Sequence, residues 1–467
     1  MSSRIFTHDD QLAFAALSGD FNPLHVDPVH ARRLMYGAAA VHGVHTLLWS
    51  LDQWAAERGE PFVIVDLKVT FSKPVRVGQP INLIVRKDDG VKVRLLVQSG
   101  TETTARIDFS HAPASPNTHQ PPAVRRFAAA SPIEVTEYTA CSGEMELAFD
   151  PDLGRELLPA LTELTPPDQI AALLAATRLV GMECPGLHSV FSELDLTFQP
   201  ERSTSSVAYA VTLVDPRFAL MSMSLTSPAV SGEVRAFIRP APQRQLTFAD
   251  ARTRVEPASF SGQRAMVIGG SRGLGEVAAK LLAAGGAEVR ISYHQGKADA
   301  LALVEEITAG GGAASCGRYD ALAPEDDASA LAEAVAWRPS HLYYFATPFI
   351  ATGQRGQFSQ PLFDRFSAYY VGGLAHAVTL FSDGLKAVFN PSTVFVEDTP
   401  DLLVEYAAAK AASEFLSARI AGERGAGFRM AWPRLPKVDT DQTASLGEGV
   451  EADPAPLLLN QLRDFNR

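Results

Sequence analysis

The chain has 467 residues, of which 46% are hydrophobic and 20% are charged, so it is long enough for two to four domains of ~100–200 residues each. Its net charge of −12 comes without a basic stripe, which argues against a nucleic-acid partner. No run reaches the ~18 apolar residues of a membrane span, and three cysteines do not make a disulfide framework. Because the N-terminal residues also lack an apolar signal-like segment, we expect a cytoplasmic protein.

The first region, residues 1–112, combines an irregular loop with helical and strand-like segments. In the loop Asp20 and His25 are five residues apart, and Gly19 and Pro23 prevent a regular helix. Such a loop can direct a carboxylate and an imidazole at one point, as proton transfer requires. Helical character is predicted at 29–35 and 38–54, and strands at 62–71, 80–87, 91–98 and 103–109. A long apolar helix followed by an antiparallel sheet predicts the hot-dog arrangement.

The loop resembles the signature of the MaoC-like (R)-specific enoyl-thioester hydratases. The matching residues are Phe14, Leu17, Ser18, Gly19, Asp20, Asn22, Pro23, Leu24, His25 and Ala31. The resemblance implies reversible loss of water from a 3-hydroxyacyl thioester, with Asp20 and His25 activating the water and carrying the protons. Gly43, at the start of the long helix, is expected to offer its amide to the thioester carbonyl.

Three other polar residues of this region are expected to support the site rather than to act in it. Asn22 is expected to hold the loop, while His42 and His45 lie in a packed helical segment and are expected to be structural. No metal site is expected.

A second region, residues 126–240, follows a linker that is predicted from the Pro-, Ser- and Thr-rich residues 111–123. It repeats the order of the first region, with a helix at 170–182, a glycine turn and strands at 192–198, 205–213, 218–225 and 232–238. It resembles the second half of a double hot-dog, so the fold class predicted for residues 1–240 is an α+β double hot-dog. The motif of Asp20 and His25 has no counterpart here. His188 is the nearest candidate and is expected to be structural, in a half that shapes the acyl tunnel.

The third region, residues 258–467, follows a second predicted linker from 239 to 257 and alternates strands with helices. This alternation predicts an α/β Rossmann-like domain with a doubly wound parallel sheet. After the strand at 265–268, a glycine-rich turn opens the helix at 274–284, so backbone amides and the positive helix end can face a pyrophosphate. The candidate cofactor-binding residues of this turn are Gly269, Ser271, Arg272, Gly273, Leu274 and Gly275.

This turn and the later Tyr406 and Lys410 resemble the Gly-x3-Gly-x-Gly and Tyr-x3-Lys elements of the short-chain dehydrogenase/reductases. The resemblance implies that Tyr406 protonates the reduced carbonyl. It also implies that Lys410 lowers the pKa of Tyr406 and binds the nicotinamide ribose. Ser392 and Thr393 lie 14 and 13 residues before Tyr406, and either hydroxyl is a candidate to orient the substrate.

The cofactor predicted is NADPH. At the end of the second strand Tyr293 and His294 stand where an NAD site usually has a carboxylate, and Arg272 can pair with a 2′-phosphate. Asp320 resembles the family residue that contacts adenine.

Four departures from the reductase pattern leave the activity of this region open. They are Ile268, residues 345–347, the pair Tyr369 and Tyr370 in place of a catalytic Asn, and residues 433–434. A divergent proton relay and a half with reduced activity are both compatible with them.

The pairing of the two resemblances predicts a bifunctional enzyme. One half would reduce a 3-oxoacyl thioester with NADPH, and the other would dehydrate the 3-hydroxyacyl product. The thioester would be carried by CoA or by acyl carrier protein, and a homo-oligomer formed through the reductase-like region is a further expectation. Hydration followed by oxidation is one alternative. A hydratase whose inactive reductase half serves as a scaffold is another.

Overall fold

The computed structural model describes residues 2–34, 36–114, 121–199, 201–241, 243–438, 440 and 452–467. The chain divides into two compact units, residues 1–241 and 242–467. Part of the expected first linker, residues 115–120, lies outside the described residues.

The first unit contains one ten-stranded sheet and two long central helices. Its strands are β1 (Ser3–Ile5), β2 (Phe62–Phe71), β3 (Pro80–Asp88), β4 (Lys92–Ser99), β5 (Glu102–Pro113), β6 (Ser142–Glu146), β7 (Ser189–Phe198), β8 (Ser206–Asp215), β9 (Leu220–Thr226) and β10 (Val230–Ile238). Its helices are α1 (His8–Ser18), α2 (Pro23–Val26), α3 (Pro28–Ala31), α4 (Gly43–Arg58), α5 (Pro151–Leu157), α6 (Pro159–Leu164) and α7 (Pro167–Arg178). A π-helical turn, Leu179–Glu183, extends α7.

The sheet joins two halves of five strands each. Its order is β1-β3-β4-β5-β2-β7-β10-β9-β8-β6, and the halves meet where β2 pairs with β7 in antiparallel register. Helix α4 is buried without interruption from Val44 to Asp52, and α7 from Asp168 to Thr177, because each helix is surrounded by the common core. The predicted double hot-dog is therefore confirmed.

One side chain ties α7 to the first half. The Gln169 side-chain oxygen accepts a hydrogen bond from the Ile64 amide at 2.9 Å, and its amide group donates to the Ile64 carbonyl at 2.8 Å. This exchange satisfies both backbone groups of Ile64 beside an irregularity in the β2–β5 pairing.

The second unit has a parallel sheet with helices on both faces. Its strands are β11 (Arg264–Ile268), β12 (Glu288–Tyr293), β13 (Ala313–Arg318), β14 (His341–Tyr344), β15 (Ala387–Phe389), β16 (Ser392–Thr393), β17 (Arg429–Ala431) and β18 (Arg434–Leu435). Its helices are α8 (Phe248–Arg254), α9 (Gly273–Ala284), α10 (Lys297–Ala309), α11 (Ala328–Ala336), α12 (Gln360–Ser367), α13 (Leu374–Leu380), α14 (Val404–Arg424) and α15 (Pro454–Asn466).

The order of the six main strands, β13-β12-β11-β14-β15-β17, is that of a doubly wound Rossmann sheet. All of their pairings are parallel. Neighbouring residues of β11 enter different cores, Val267 on one face and Met266 on the other, so both faces of the sheet are covered. The predicted Rossmann-like class of this region is confirmed.

Several predicted boundaries were wrong. The expected linker up to residue 257 contains α8, whose Thr247 and Asp250 form a capping box and whose Phe248 is 2% exposed in the core. The long helix expected from residue 38 begins at Gly43. A π-helical turn, Ala368–Gly373, separates α12 from α13. Within the described ranges, no helix combines the length and apolar character needed to cross a membrane.

Candidate functional site

The loop that carries Asp20 lies between the C-terminal cap of α1 and the N-terminal cap of α2. Helix α1 ends at Gly19, whose positive φ of 81° is a left-handed conformation that glycine adopts without strain. Helix α2 begins at Pro23, and the side chain of Asn22 accepts a hydrogen bond from the Leu24 amide at 3.0 Å. The two caps fix the backbone on each side of Asp20.

The Asp20 carboxylate is 2% exposed and is held by two donors. Its Oδ2 accepts a hydrogen bond from Thr177 Oγ1 at 2.7 Å, and its Oδ1 accepts one from the Asn22 amide at 3.2 Å. Burial raises the pKa of Asp20, while the nearby His25 and these hydrogen bonds oppose that rise. One oxygen of Asp20 and one ring nitrogen each of His25 and His42 lie within 4.8 Å of one another.

The proton of neutral His25 lies on the ring nitrogen that faces the backbone. Its Nδ1 is 2.8 Å from the Ala40 carbonyl oxygen, which can only accept, so Nδ1 is the donor and Nε2 is the unprotonated nitrogen. Burial lowers the pKa of His25, which favours this neutral ring. His25 and Asp20 both line the same cavity, as the sequence predicted.

His42 and His45 are packed behind this pair. His42 Nδ1 is 2.9 Å from Gln11 Oε1 and its Nε2 is 3.0 Å from the Asp20 carbonyl oxygen, so each ring nitrogen faces a protein oxygen and the neutral ring donates to one of the two. Burial lowers the pKa of His42 well below its usual value and lowers that of His45 to about 3. The spacing of Asp20, His25 and His42 would suit a metal ion, but the engaged nitrogens of His42 lead us to assign none.

The second half of the sheet completes the cavity. Its Thr177 and Gly181 line the cavity together with Asp20, His25 and Gly43. A Cβ added to Gly181 would lie 2.1 Å from Asp20 Oδ1, so the π-helical turn brings backbone directly against the carboxylate. Gly43 is the first residue of α4, where the amide has no acceptor within the helix.

Asn22 also joins the two halves. Its side-chain amide donates to the carbonyl oxygens of Gly181 at 2.8 Å and Gly186 at 3.1 Å. These bonds agree with the expectation that Asn22 supports the loop, and they also tie the loop to the other half of the sheet.

The equivalent position in the second half lacks the features of this site. Helix α7, which corresponds to α4, begins at Pro167, which has no amide hydrogen to offer. His188 Nε2 lies 3.4 Å from Glu134 Oε1, and among the described residues His188 is not part of the cavity wall.

In the second unit, the glycine-rich turn leaves no room for side chains at two positions. A Cβ at Gly269 would lie 2.9 Å from the Ala346 amide nitrogen, and a Cβ at Gly275 would lie 2.2 Å from the Gly269 carbonyl oxygen. Gly273 is the first residue of α9 and has a positive φ of 57°. Both contacts require glycine, and the start of α9 places backbone amides at the turn, which is the arrangement that a pyrophosphate site uses.

The remaining residues of the predicted cofactor region lie at this edge of the sheet. Arg272 caps α9, and Tyr293 ends β12. His294 Nε2 lies 3.2 Å from Asp320 Oδ2, so two residues that were predicted to have separate roles are paired with each other. Ser271 is 8% exposed and Leu274 lies in the first turn of α9.

Tyr406 and Lys410 lie one turn apart on α14, as their spacing predicts. The Thr393 hydroxyl lies near the Tyr406 phenol and opposes the rise in its pKa, and it accepts a hydrogen bond from the Phe395 amide at 3.3 Å. Ser392 Oγ instead donates to Glu414 Oε1 at 2.5 Å. Of the two candidate hydroxyls, Thr393 is the one placed beside the tyrosine.

The electrostatics of this pair differ from the expectation that Lys410 lowers the pKa of Tyr406. Burial raises the pKa of Tyr406 to about 12 and lowers that of Lys410 to about 7. A lysine with so low a pKa carries only part of its charge at neutral pH, so it has little effect on its neighbour. Lys410 Nζ donates to the Pro391 carbonyl at 2.8 Å and lies 4.1 Å from the ring centre of Tyr370.

Several supporting residues were not found from the sequence. Glu414 is paired with Arg434 through hydrogen bonds of 2.8 and 2.6 Å. Its position on α14, eight residues after Tyr406, could have indicated from the sequence that it lies near the site. Thr177 and Gly181 have no such signal, because they are far from Asp20 in the sequence.

Residues 2–107 match the family model described as MaoC like domain. The (R)-specific enoyl-CoA hydratase of Aeromonas caviae is 37% identical over 82 residues, which are 17% of this chain and 60% of that protein. Peroxisomal multifunctional enzyme type 2 of Drosophila melanogaster is 35% identical over 101 residues, which are 21% of this chain and 17% of that protein. The chain thus spans less than two thirds of either relative.

Among solved structures, a short-chain dehydrogenase from Burkholderia cenocepacia J2315 in complex with NADP has 26% identity and a TM-score of 0.38. The match covers 44% of this chain and 91% of that one.

The low pKa of Lys410 predicts a pH-dependent cost to stability. Between pH 7 and its ordinary value of 10.5, the unfolded lysine binds a proton that the folded one lacks, so stability rises with pH across this window. Lys410→Met should therefore be more stable than the wild type at pH 7, with the difference falling by up to ~1.4 kcal/mol per pH unit toward pH 10.

Urea unfolding of the full chain, followed by hydrogen exchange of peptides from α14, measures this difference. The exposed Lys386→Met is the matched control and should show no such trend. The prediction would be contradicted if the free energy of unfolding of Lys410→Met changed with pH across this window in the same way as that of the wild type.

Proposed function

We propose that the protein is a bifunctional enzyme, an NADPH-dependent 3-oxoacyl-thioester reductase and an (R)-3-hydroxyacyl-thioester dehydratase. The observation that carries the proposal is the convergence of Asp20, His25 and Gly43 on one cavity of the first unit. The second unit supports the reductase part, since Tyr406 and Lys410 lie one turn apart on α14, with Thr393 near the phenol, in a Rossmann fold with a glycine-rich turn. The product of the reduction is the substrate of the dehydration, which explains the fusion.

In the hydration direction, the hydrogen bonds and burial of this pair support a different role for each residue. Neutral His25 has a free Nε2 and takes a proton from water as the oxygen adds to C3. Asp20, whose pKa is raised by burial, supplies the proton that C2 gains. Dehydration is the reverse, with the Asp20 carboxylate taking the C2 proton and the His25 imidazolium protonating the leaving hydroxyl.

The thioester oxygen gains negative charge while C2 is protonated or deprotonated. The Gly43 amide at the start of α4 can donate to this oxygen, and the positive end of the helix adds to the stabilisation. Phe71 packs against Gly43, and its ring would lie 3.2 Å from a Cβ there, so a side chain at Gly43 would crowd the Phe71 ring in the cavity wall.

In the reductase unit, bound NADPH supplies the hydride. The glycine turn would hold its pyrophosphate, Arg272 its 2′-phosphate and Lys410 its nicotinamide ribose. Tyr406, with a pKa of about 12, keeps its phenol proton at neutral pH and donates it to the carbonyl oxygen, while Thr393 orients that oxygen. NADPH rather than NADH, and these residue roles, are part of the proposal.

The dimensions of the hydratase cavity favour a short acyl group. Its volume is about 130 Å³, and its apolar wall includes Phe71, Val180, Phe191 and Phe237. A cavity of ~150 Å³ accommodates benzene, so an acyl tail of about four to six carbons fits. The carrier is CoA or acyl carrier protein.

A second candidate function is a hydratase whose other half binds cofactor without reducing. The contact of Lys410 with Pro391 and the Tyr370 ring favours it, because both partners hold the ammonium group within the protein.

Asp20→Asn and His25→Ala should each lower hydration of crotonyl-CoA by at least ~100-fold, because each removes one of the two proton carriers. Reduction of acetoacetyl-CoA should be unchanged in both, since these residues lie in the other unit. His188→Ala is the control and should keep its hydratase activity. Full hydration by either site variant would refute the assignment.

Tyr406→Phe should lower reduction of acetoacetyl-CoA by at least ~100-fold while NADPH affinity stays unchanged, because the ring remains and only the proton donor is lost. NADPH absorbance and fluorescence titration measure the two quantities. Tyr319→Phe is the matched control, as this buried hydroxyl has no hydrogen-bond partner. Undiminished reduction in Tyr406→Phe would refute the role, and a wild type that binds NADPH but reduces no 3-oxoacyl thioester would favour the second candidate.

A further inference from the structure

Thr177 is the donor from the second half of the sheet that contacts the Asp20 carboxylate. It lies in the last turn of α7, is 3% exposed, and its Oγ1 is 2.7 Å from Asp20 Oδ2. We propose that Thr177 is a positioning residue for the hydratase reaction, fixing the orientation of Asp20 and favouring its carboxylate form. This inference rests on the proposed hydratase function.

The direction of this hydrogen bond follows from chemistry. An ionised carboxylate can only accept, so the threonine hydroxyl must be the donor whenever Asp20 is ionised. At 2% exposure the carboxylate has little access to water, and the Asn22 amide at 3.2 Å is a longer contact than the one to Thr177. The hydrogen bond from Thr177 is therefore the shorter of the two that hold the carboxylate.

The opposite side of the carboxylate is closed by Gly181. Thr177 at the end of α7 and Gly181 in the π-helical turn that follows are four residues apart, and both lie against Asp20. The hydroxyl contacts Oδ2, while a Cβ at Gly181 would lie 2.1 Å from Oδ1, so the carboxylate is confined between them. Loss of the hydroxyl would leave the orientation of Asp20 less restricted.

The hydrogen bond also shifts a proton equilibrium. A donor to the ionised form lowers the pKa of a carboxyl group and here opposes the effect of burial. Without it the pKa of Asp20 should rise further. Asp20 and His25 together carry one proton in the reactive state. The limb of the pH profile that reports the ionisation of Asp20 should therefore move to higher pH.

Thr177→Val tests this inference, measured as the pH dependence of kcat/KM for crotonyl-CoA hydration. Loss of a charge-assisted hydrogen bond should lower the rate about 10- to 100-fold at neutral pH and move one limb upward by about one unit or more. Thr177→Ser, which keeps the hydroxyl, should restore the limb. Thr165→Val is the matched control, since Thr165 is a buried threonine near the other end of α7 whose hydroxyl has no hydrogen-bond partner.

Two results would overturn the inference while leaving the proposed function intact. In the first, Thr177→Val has the kcat/KM and the pH profile of the wild type. In the second, Thr177→Val loses activity without a shift in either limb of the pH profile, and Thr177→Ser does not recover the activity. If Thr177→Val does not fold, Thr177→Ala provides the same comparison with a strong helix former. Failure of the proposed function is separate, because it would appear as a wild type without hydratase activity or as a fully active Asp20→Asn.

Discussion

The buried carboxylate of Asp20 is the constraint on which the proposed hydratase site depends. Moving a charge out of water is costly unless hydrogen bonds replace the lost solvent. Here the replacements come from both halves of the sheet, the Asn22 amide from one and the Thr177 hydroxyl from the other. The β2–β7 pairing that makes one continuous sheet is therefore also what keeps this carboxylate ionisable in the interior.

The same constraint explains why a half without its own motif is retained. Pro167 starts α7 where Gly43 starts α4, so the second half cannot offer the corresponding amide. Gln169 uses its side chain to satisfy the Ile64 backbone rather than to face a substrate. To the existing site the second half supplies the carboxyl end of α7, the turn after it, and wall residues from β7 and β10 that include Phe191 and Phe237.

The sequence predicted the elements whose signals are local. The Asp20 loop, the glycine turn and the Tyr406–Lys410 spacing are each encoded by residues close together in the sequence. The Rossmann-like class followed from strand–helix alternation, and the double hot-dog followed from the order of helix and strands together with the family resemblance. It did not predict Thr177, because no pattern links it to a loop more than 150 residues earlier. The low pKa of Lys410 likewise depends on burial by Tyr370 and the chain around Pro391, which only the folded packing determines.

The central claim, that the two halves build one hydratase site around Asp20, is tested most directly by Gly181→Ala. The helical turn accommodates alanine, but the added Cβ would lie 2.1 Å from Asp20 Oδ1 and must displace the carboxylate. We expect crotonyl-CoA hydration to fall by at least ~100-fold with acetoacetyl-CoA reduction unchanged, whereas Gly422→Ala, where a Cβ meets nothing within 4 Å, should keep both activities. Full hydration by Gly181→Ala would contradict the account.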